Sequence, residues 1–385
     1  MDDVGVVGGG PGGAAAALAL ARAGVRVTLF RPARPGEKPC GGAVPDAFLP
    51  TVPGFTPSSA SVRPPRIVLE NAAGSRLDVE APGLRIFRRA DLDSALVDRA
   101  AAAGAGVVEG KVETIDLERG GAVVRAGGER RRFAWLVGAD GARGLARRSL
   151  GLAPGDESVG LGASIEGEVP ERLVLGFPDA ADAYCWIFPR PGGMSVGIAY
   201  DPRRLSSGAA GAALERFLDR HLAAGRAALA RGHRYRYPIP LYGAATLAAV
   251  ARGVSSRLLL VGDAAGVADP LTREGIRYAL LSGASAAASV IDGRPQSYPG
   301  RVACGIGPEL DRARRAARLF YDEPVAQWMV PLARFHPGIR AVLADLLTCR
   351  QPYRRLRRRL LEAAVGLYAC DAARAGLEGT FDSPR

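Results

Sequence analysis

The sequence predicts an α/β fold: a Rossmann-like domain with an inserted antiparallel β-sheet domain and a helical C-terminal segment. Three observations carry this reading. A glycine-rich turn joins an apolar run to an alanine-rich helix near the N-terminus. Short strand-like runs then crowd residues 152–245, with one helix among them. A second apolar strand at 258–261, closed by another small-residue turn, resumes the first architecture.

Taken in order, the run 4–7 (VGVV) reads as a short buried strand. The stretch 12–23 is helical, with Gly24 as its stop. Residues 25–30 alternate as a second strand and complete a βαβ start. The stretch 66–80 reads as a hairpin turning at 71–74, and 91–103 as a helix. Several short strands fill 107–138. Within the insertion, strands are predicted at 159–167, 172–177, 184–188 and 194–200, and a helix at 208–224. A turn and a helix running to about Ile291 follow the 258–261 strand, and residues 308–375 are mostly helical. The domain boundaries are then 1–151 with 246–300 for the first unit, which counts the β-rich stretch 62–82 within it. The inserted sheet takes 152–245 and the helical segment 301–385.

At 385 residues the chain is long enough to bury a large core. Its 50 glycines and 28 prolines are dispersed, which excludes collagen-like and low-complexity readings. No run of about 18 apolar residues is free of charge, so no membrane-spanning helix is expected. Because Met1-Asp2-Asp3 runs straight into the first strand, no signal or transit peptide is expected. The five cysteines form no CxxC pair, so reduced thiols in the cytoplasm are expected. His221, His233 and His336 lie far apart, and neither a metal site nor a Ser-His-Asp triad is predicted. The net charge of +12 is almost wholly arginine, since Lys38 and Lys111 are the only lysines. That excess fits either a GC-rich genome or an anionic partner.

Gly8, Gly10 and Gly13 follow G-x-G-x-x-G, directly after a strand and at the start of a helix. The first glycine allows the tight turn, and the second lets a pyrophosphate approach the backbone. The third lets helix and strand pack closely, with the helix N-terminus facing the phosphates. With both strands and the helix in place, the motif predicts dinucleotide binding. Where an acidic residue commonly ends the second strand and holds a ribose hydroxyl, this chain has Arg31. Three roles stay open for it: contact with a 2′-phosphate, stacking on adenine, or a solvated charge.

Residues 258–266 (LLLVGDAAG) place Asp263 after a strand, where a carboxylate accepts hydrogen bonds from a sugar-like chain. With Pro270, Glu274 and Gly275 behind it, the segment resembles the second FAD signature of glutathione-reductase-type flavoproteins, whose Asp binds the ribitol. Gly138-Ala139-Asp140-Gly141, followed by Arg147, resembles the Asp-Gly motif of flavin hydroxylases. Arg89-Ala90-Asp91-Leu92-Asp93 resembles those enzymes' Arg-x-x-(Phe/Leu)-Asp segment, whose arginine lies at the flavin. Four motifs in this order imply FAD. Lys38-Pro39-Cys40-Gly41-Gly42, Tyr184-Cys185-Trp186-Ile187-Phe188-Pro189 and the segment 269–276 (DPLTREGI) narrow the likeness. Over about 1–292 the chain is similar to the geranylgeranyl reductase family. The sequence departs from that family's pattern twice: Ala199 ends a Gly-x-Gly, and Arg273 replaces a glycine.

The cofactor contacts expected from motifs and resemblance together are Gly8, Gly10, Gly13, Arg31, Cys40, Gly41, Arg89, Val112, Asp140, Asp263, Pro270, Gly275 and Ile276. Tyr184, Trp186 and Phe188 alternate on a strand and so share one face. That face is either ordinary aromatic core or an apolar wall; the resemblance implies a wall for a prenyl chain. Cys40 lies in a Pro/Gly loop unsuited to core packing, which favours a place near the flavin. Cys40, Tyr184 and ordered water are the candidate proton donors, while His233 is read as a strand residue.

The function implied is FAD-dependent reduction of isoprenoid carbon–carbon double bonds, with NAD(P)H or a reduced ferredoxin-like donor. The alternatives are an FAD-dependent monooxygenase or other flavin oxidase, and a non-catalytic electron-transfer flavoprotein. Halogenation is not expected, because no lysine lies between Lys38 and Lys111 and no Trp-x-Trp-x-Ile-Pro segment is present. Residues 353–367 carry Arg354, Arg355, Arg357, Arg358 and Arg359 with Leu356, Leu360, Val365 and Leu367. Such a basic amphipathic helix either lies on an anionic membrane or docks by its leucines with a solvated arginine face. Nucleic-acid binding lacks a fold signature and aromatic interleaving. The chain is thus expected in the cytoplasm, with peripheral membrane contact left open.

Overall fold

A computed structural model of the chain describes residues 3–33, 36–55, 61–180, 182–223, 225–322 and 325–364. The chain opens with β1 (Val4–Val7), α1 (Pro11–Arg22) and β2 (Val27–Arg31). The hairpin strands β3 (Arg66–Glu70) and β4 (Arg76–Glu80) precede helix α2 (Arg89–Ala102). Next come β5 (Gly106–Glu109) and β6 (Trp135–Gly138). The central stretch holds β7 (Glu157–Glu166), β8 (Leu173–Gly176), β9 (Ala183–Arg190), β10 (Gly193–Tyr200), α3 (Ser207–His221) and β11 (His233–Pro240). After β12 (Leu258–Leu260) and α4 (Ile276–Ile291) the chain is helical: α5 (Gly307–Asp322), α6 (Val325–Phe335), α7 (Pro337–Leu347) and α8 (Tyr353–Ala364).

Five strands form a parallel sheet in the order β12-β6-β1-β2-β5. Every residue of β1, β6 and β12 is buried, as expected for strands covered on both faces. Helix α1 packs by its alanines and crosses α4 at Gly12 and Gly283. A Cβ on Gly283 would lie 2.1 Å from the Gly12 carbonyl oxygen. Strand β2 starts at Val27 rather than residue 25, because the Val25 N–H bonds back to the Leu20 carbonyl at 3.0 Å. That bond closes α1 around Gly24, whose φ is +73°.

The second sheet has seven strands in the order β11-β7-β10-β9-β8-β3-β4, antiparallel throughout except where β8 meets β3. This corrects the expected division of the chain. The stretch 62–82 does not sit with the parallel sheet; Ile67 pairs with Leu173 and Leu69 with Leu175. The cause is two-sided burial. Val68 joins the apolar cluster under α3, while Ile67 and Leu69 join the cluster formed with α6 and α7.

Two boundaries also differ from expectation. Helix α3 ends at His221, and Leu222 is extended. The Gly262-Asp263 turn is a single 3-10 turn, Gly262–Ala264, and a loop separates it from α4. Within α8, Leu356 and Leu360 face inward and Ala363 is buried, while Arg354, Arg355, Arg357 and Arg358 are exposed. Val365 and Leu367 lie outside the described residues. Among the described residues, no helix is long and apolar enough to cross a membrane.

The α1–α4 crossing is directly testable. Gly283→Ala is expected to cost about 1–3 kcal/mol, read as a lower Tm with weaker flavin retention. An unchanged Tm would mean that the two helices yield at this contact.

Candidate functional site

A cavity of about 790 Å3 is lined by three turns of the parallel sheet, one face of the seven-stranded sheet, and α5 to α8. The three turns follow β1, β6 and β12, at the carboxyl ends of parallel strands, where open α/β sheets bind ligands. Gly8 has φ +112°, and a Cβ there would lie 2.3 Å from the Ala139 carbonyl oxygen. A Cβ on Gly13 would lie 1.9 Å from the Gly8 carbonyl oxygen, so the helix starts directly against the turn. Gly10, in contrast, faces open space, with nothing within 4 Å of a Cβ. Helix α1 begins with no side-chain cap and no acidic residue in its first turn. Its free N–H groups and positive dipole end suit a pyrophosphate, so the cradle fits FAD.

The loop 37–42 brings charge to the cradle. Lys38 Nζ lies 2.6 Å from Asp263 Oδ2 and 5.3 Å from the centre of the Tyr237 ring. Buried Arg89 forms a forked pair with Asp93 at 2.9–3.1 Å. The Gly42 N–H donates to Cys40 Sγ at 3.3 Å. Glu37 accepts from the Arg89 N–H (3.0 Å), the Ala90 N–H (3.0 Å) and Arg190 Nη1 (2.9 Å). It thereby caps α2 and ties it to the end of β9. A Cβ on Gly41 would lie 1.8 Å from Phe188 Cδ2, so only glycine lets this loop lie against the ring.

Tyr184, Trp186 and Phe188 line the cavity from β9, with successive ring centres 6.0 and 6.4 Å apart. Gly197 on β10 sits opposite Trp186, and a Cβ there would lie 2.3 Å from the indole. Ala199 sits opposite Tyr184 and is fully buried, so the extra methyl is accommodated.

Three tyrosine hydroxyls from three elements pin the loop that leads to α4. Tyr184 donates to the Thr272 carbonyl (3.1 Å), Tyr321 to the Leu271 carbonyl (2.7 Å), and Tyr353 to Asp269 Oδ2 (2.9 Å). Burial pushes the Asp269 carboxyl above its ordinary pKa, against the pull of the Leu271 and Thr272 N–H groups. Arg273 occupies the left-handed region at φ +60°, which costs a non-glycine residue about 1–2 kcal/mol. Its guanidinium is held by Asp182 and the Pro270 carbonyl and stacks 4.6 Å from the Tyr321 ring centre.

The pyridine nucleotide-disulphide oxidoreductase family matches residues 2–164. A digeranylgeranylglycerophospholipid reductase from Methanospirillum hungatei is 31% identical over 312 residues, covering 73% of this chain and 73% of that protein. The chain belongs to the geranylgeranyl reductase family. Within this family of FAD-dependent oxidoreductases, the chloroplastic geranylgeranyl diphosphate reductase of Oryza sativa is 30% identical over 322 residues. That match covers 75% of this chain and 66% of the rice protein, just under two thirds of its length. The solved structure of a geranylgeranyl bacteriochlorophyll reductase-like protein from Thermoplasma acidophilum superposes with a TM-score of 0.72 at 22% identity, covering 94% of this chain and 99% of that one. A flavin-dependent brominase superposes with a TM-score of 0.65 at 17% identity, covering 95% and 99%. These two structural likenesses establish the fold.

Of the expected reductase site residues, Gly8, Gly10, Cys40, Gly41, Arg89, Asp140, Asp263, Gly275 and Ile276 line the one cavity, with Tyr184, Trp186 and Phe188. Gly13, Arg31, Val112 and Pro270 are not on its wall. Gly13 acts through its contact with Gly8. Arg31 is drawn onto Glu109 at 2.5 Å, Val112 is buried where a separate three-stranded meander begins, and Pro270 turns the pinned loop. Asp140 Oδ2 accepts the Ala146 N–H at 3.0 Å and so caps a short helix as well as lining the wall. Arg147 bonds the Ala264 carbonyl at 2.9 Å and ties the second turn to the third. Glu37, Arg190, Tyr321 and Tyr353 escaped sequence reasoning. Of these, only Arg190 carried a local hint, as the residue after the Phe188-Pro189 motif.

Two variants test this arrangement. Asp263→Ala is expected to deplete flavin from an otherwise yellow protein; full FAD content would remove Asp263 from the contacts. Glu37→Ala leaves buried Arg190 with Glu166, at 3.4 Å, as its remaining carboxylate and is expected to lower the unfolding free energy by about 1–3 kcal/mol, measured by denaturant midpoints, with Glu37→Gln recovering part of the loss.

Proposed function

We propose that this chain is an FAD-dependent reductase of isoprenoid carbon–carbon double bonds. The observation that carries the reading is a single cavity that joins a pyrophosphate cradle to an apolar wall of Tyr184, Trp186 and Phe188. Bound and reduced, FAD supplies hydride transfer to an alkene carbon.

The chain's own residues do the rest. Gly8, Gly10 and the N-terminus of α1 hold the pyrophosphate, and Asp263 accepts hydrogen bonds from the ribitol. Burial opposes the charge on Lys38 most strongly, but its neighbours together, Asp263 foremost, keep the pKa above the ordinary lysine value. The ammonium therefore stays charged and fixes the carboxylate. The three rings of β9 and the leucines of α7 and α8 align a long apolar chain and exclude water. The second alkene carbon needs a proton. Tyr184 keeps its own: burial raises its pKa far above the ordinary phenol value, and its hydroxyl is engaged by Thr272. Cys40, beside Arg89 on the loop facing Phe188, is the donor in this reading. The substrate is a hydrophobic prenyl compound, the class for which the related geranylgeranyl diphosphate and digeranylgeranylglycerophospholipid reductases are named. Electrons come from NAD(P)H or a reduced ferredoxin-like donor.

Under anaerobic conditions, photoreduced protein given a geranylgeranyl compound should return to oxidised flavin and yield product heavier by one H2 per bond reduced. Cys40→Ala should slow this reoxidation by about 100-fold or more with flavin content intact, and Tyr184→Phe should slow it less. Hydroxylated product that forms only in air would overturn the reductase reading.

A further inference from the structure

The cavity reaches the surface among the C-terminal helices. Three of its lining residues there are large, apolar and exposed: Leu319 on α5 (66%), and Trp328 (53%) and Leu332 (39%) on α6. Phe335, 78% exposed, continues the row. Trp328, Leu332 and Phe335 stand at i, i+4 and i+7 and so share one helix face. Leu361, on α8 beside the cavity-lining Leu360, is exposed as well. Five of the seven exposed large apolar side chains among the described residues thus lie on these helices.

An apolar row around a cavity mouth marks a binding surface, and its charge surroundings narrow the occupant. Arg315 and Arg318 on α5, Arg334 on α6, and Arg354, Arg355 and Arg357 on α8 are all exposed. The acidic groups that close α5 and α8, Asp322 and Glu362, are engaged by Arg204 and Arg358. We propose that this face docks on an anionic lipid bilayer, with Leu319, Trp328, Leu332 and Phe335 at the acyl boundary and the arginines at the headgroups. A prenyl-chain lipid then passes from the bilayer into the cavity without exposing its methylenes to water. This last step rests on the prenyl-reductase reading; the docking does not. Helix α8 supplies mainly charge: Leu356 and Leu360 are turned inward, and Leu361 is its exposed leucine among the described residues.

The test uses the full flavin-loaded chain without substrate, mixed with vesicles of phosphatidylcholine alone or with added phosphatidylglycerol. Binding is read by co-sedimentation. Trp135 and Trp186 are each only 5% exposed, so brominated lipid should quench Trp328 selectively. The expected result is salt-sensitive binding to the anionic vesicles, with quenching. Trp328→Ser combined with Phe335→Ser should weaken binding by about tenfold or more, with flavin content unchanged. Arg354→Gln, Arg355→Gln and Arg357→Gln together should erase the preference for anionic vesicles. Binding without quenching would overturn the proposal. So would failure to bind combined with a dimer that the serine variant dissolves, which would assign the face to a second copy of the chain. Vesicle binding by a chain that reduces no prenyl alkene would sink the reductase reading and leave the docking intact.

Discussion

The carboxylate of Glu37 is the point on which the rest of the site depends. It receives the first N–H groups of α2 and the buried guanidinium of Arg190. Its position therefore sets where α2 begins, and so where Arg89 points. The same carboxylate fixes the end of β9, and so the height of Phe188. The loop between carries Cys40 and Gly41, and it lies flat against Phe188 because Gly41 has no side chain. Buried ion pairs contribute little net stability against apolar replacements, but they fix geometry. Here the geometry is the meeting of the Cys40–Gly41 loop with the aromatic wall of the cavity.

The C-terminal helices belong to the site as much as the two sheets do. Tyr321 on α5 and Tyr353 on α8 each give a hydroxyl to the loop that ends at the N-terminus of α4. That loop holds a buried carboxylate at Asp269 and a left-handed arginine at Arg273, two arrangements with a free-energy cost. The tyrosines, Asp182 and the backbone N–H groups offset that cost. Leucines of the same helices form the apolar end of the cavity, so the helices that close that end also brace the loop before α4.

What was legible in the sequence is what consecutive residues decide among themselves. The Gly8–Gly13 turn needs a positive φ and close contacts, and only glycine meets both. The common face of Tyr184, Trp186 and Phe188 follows from the two-residue period of a strand. What was not legible is pairing between distant segments. The hairpin at 66–80 reads the same whichever sheet it joins; burial of Val68 on one side and of Ile67 and Leu69 on the other decides it. Nothing local links Glu37 to Arg190, or Tyr353 to Asp269. The amphipathic pattern of α8 was plain, but which side would be covered depended on the cavity beside it. Arg273 ran against the local rule for a left-handed position and is held there by partners far along the chain.

The parallel sheet is assembled from both ends of the sequence: Leu136 and Val137 pair with Leu258 and Leu259, and α4 closes over α1 at Gly12. On the ribosome, β1, α1 and β2 emerge long before those partners exist. Strand β3 likewise waits for β8. The nascent chain therefore carries two incomplete sheets at once, each with an unpaired edge, through much of its synthesis. Distant pairing of this kind slows folding. A chain cut short before β12 would leave β6 as an unpaired edge of the parallel sheet.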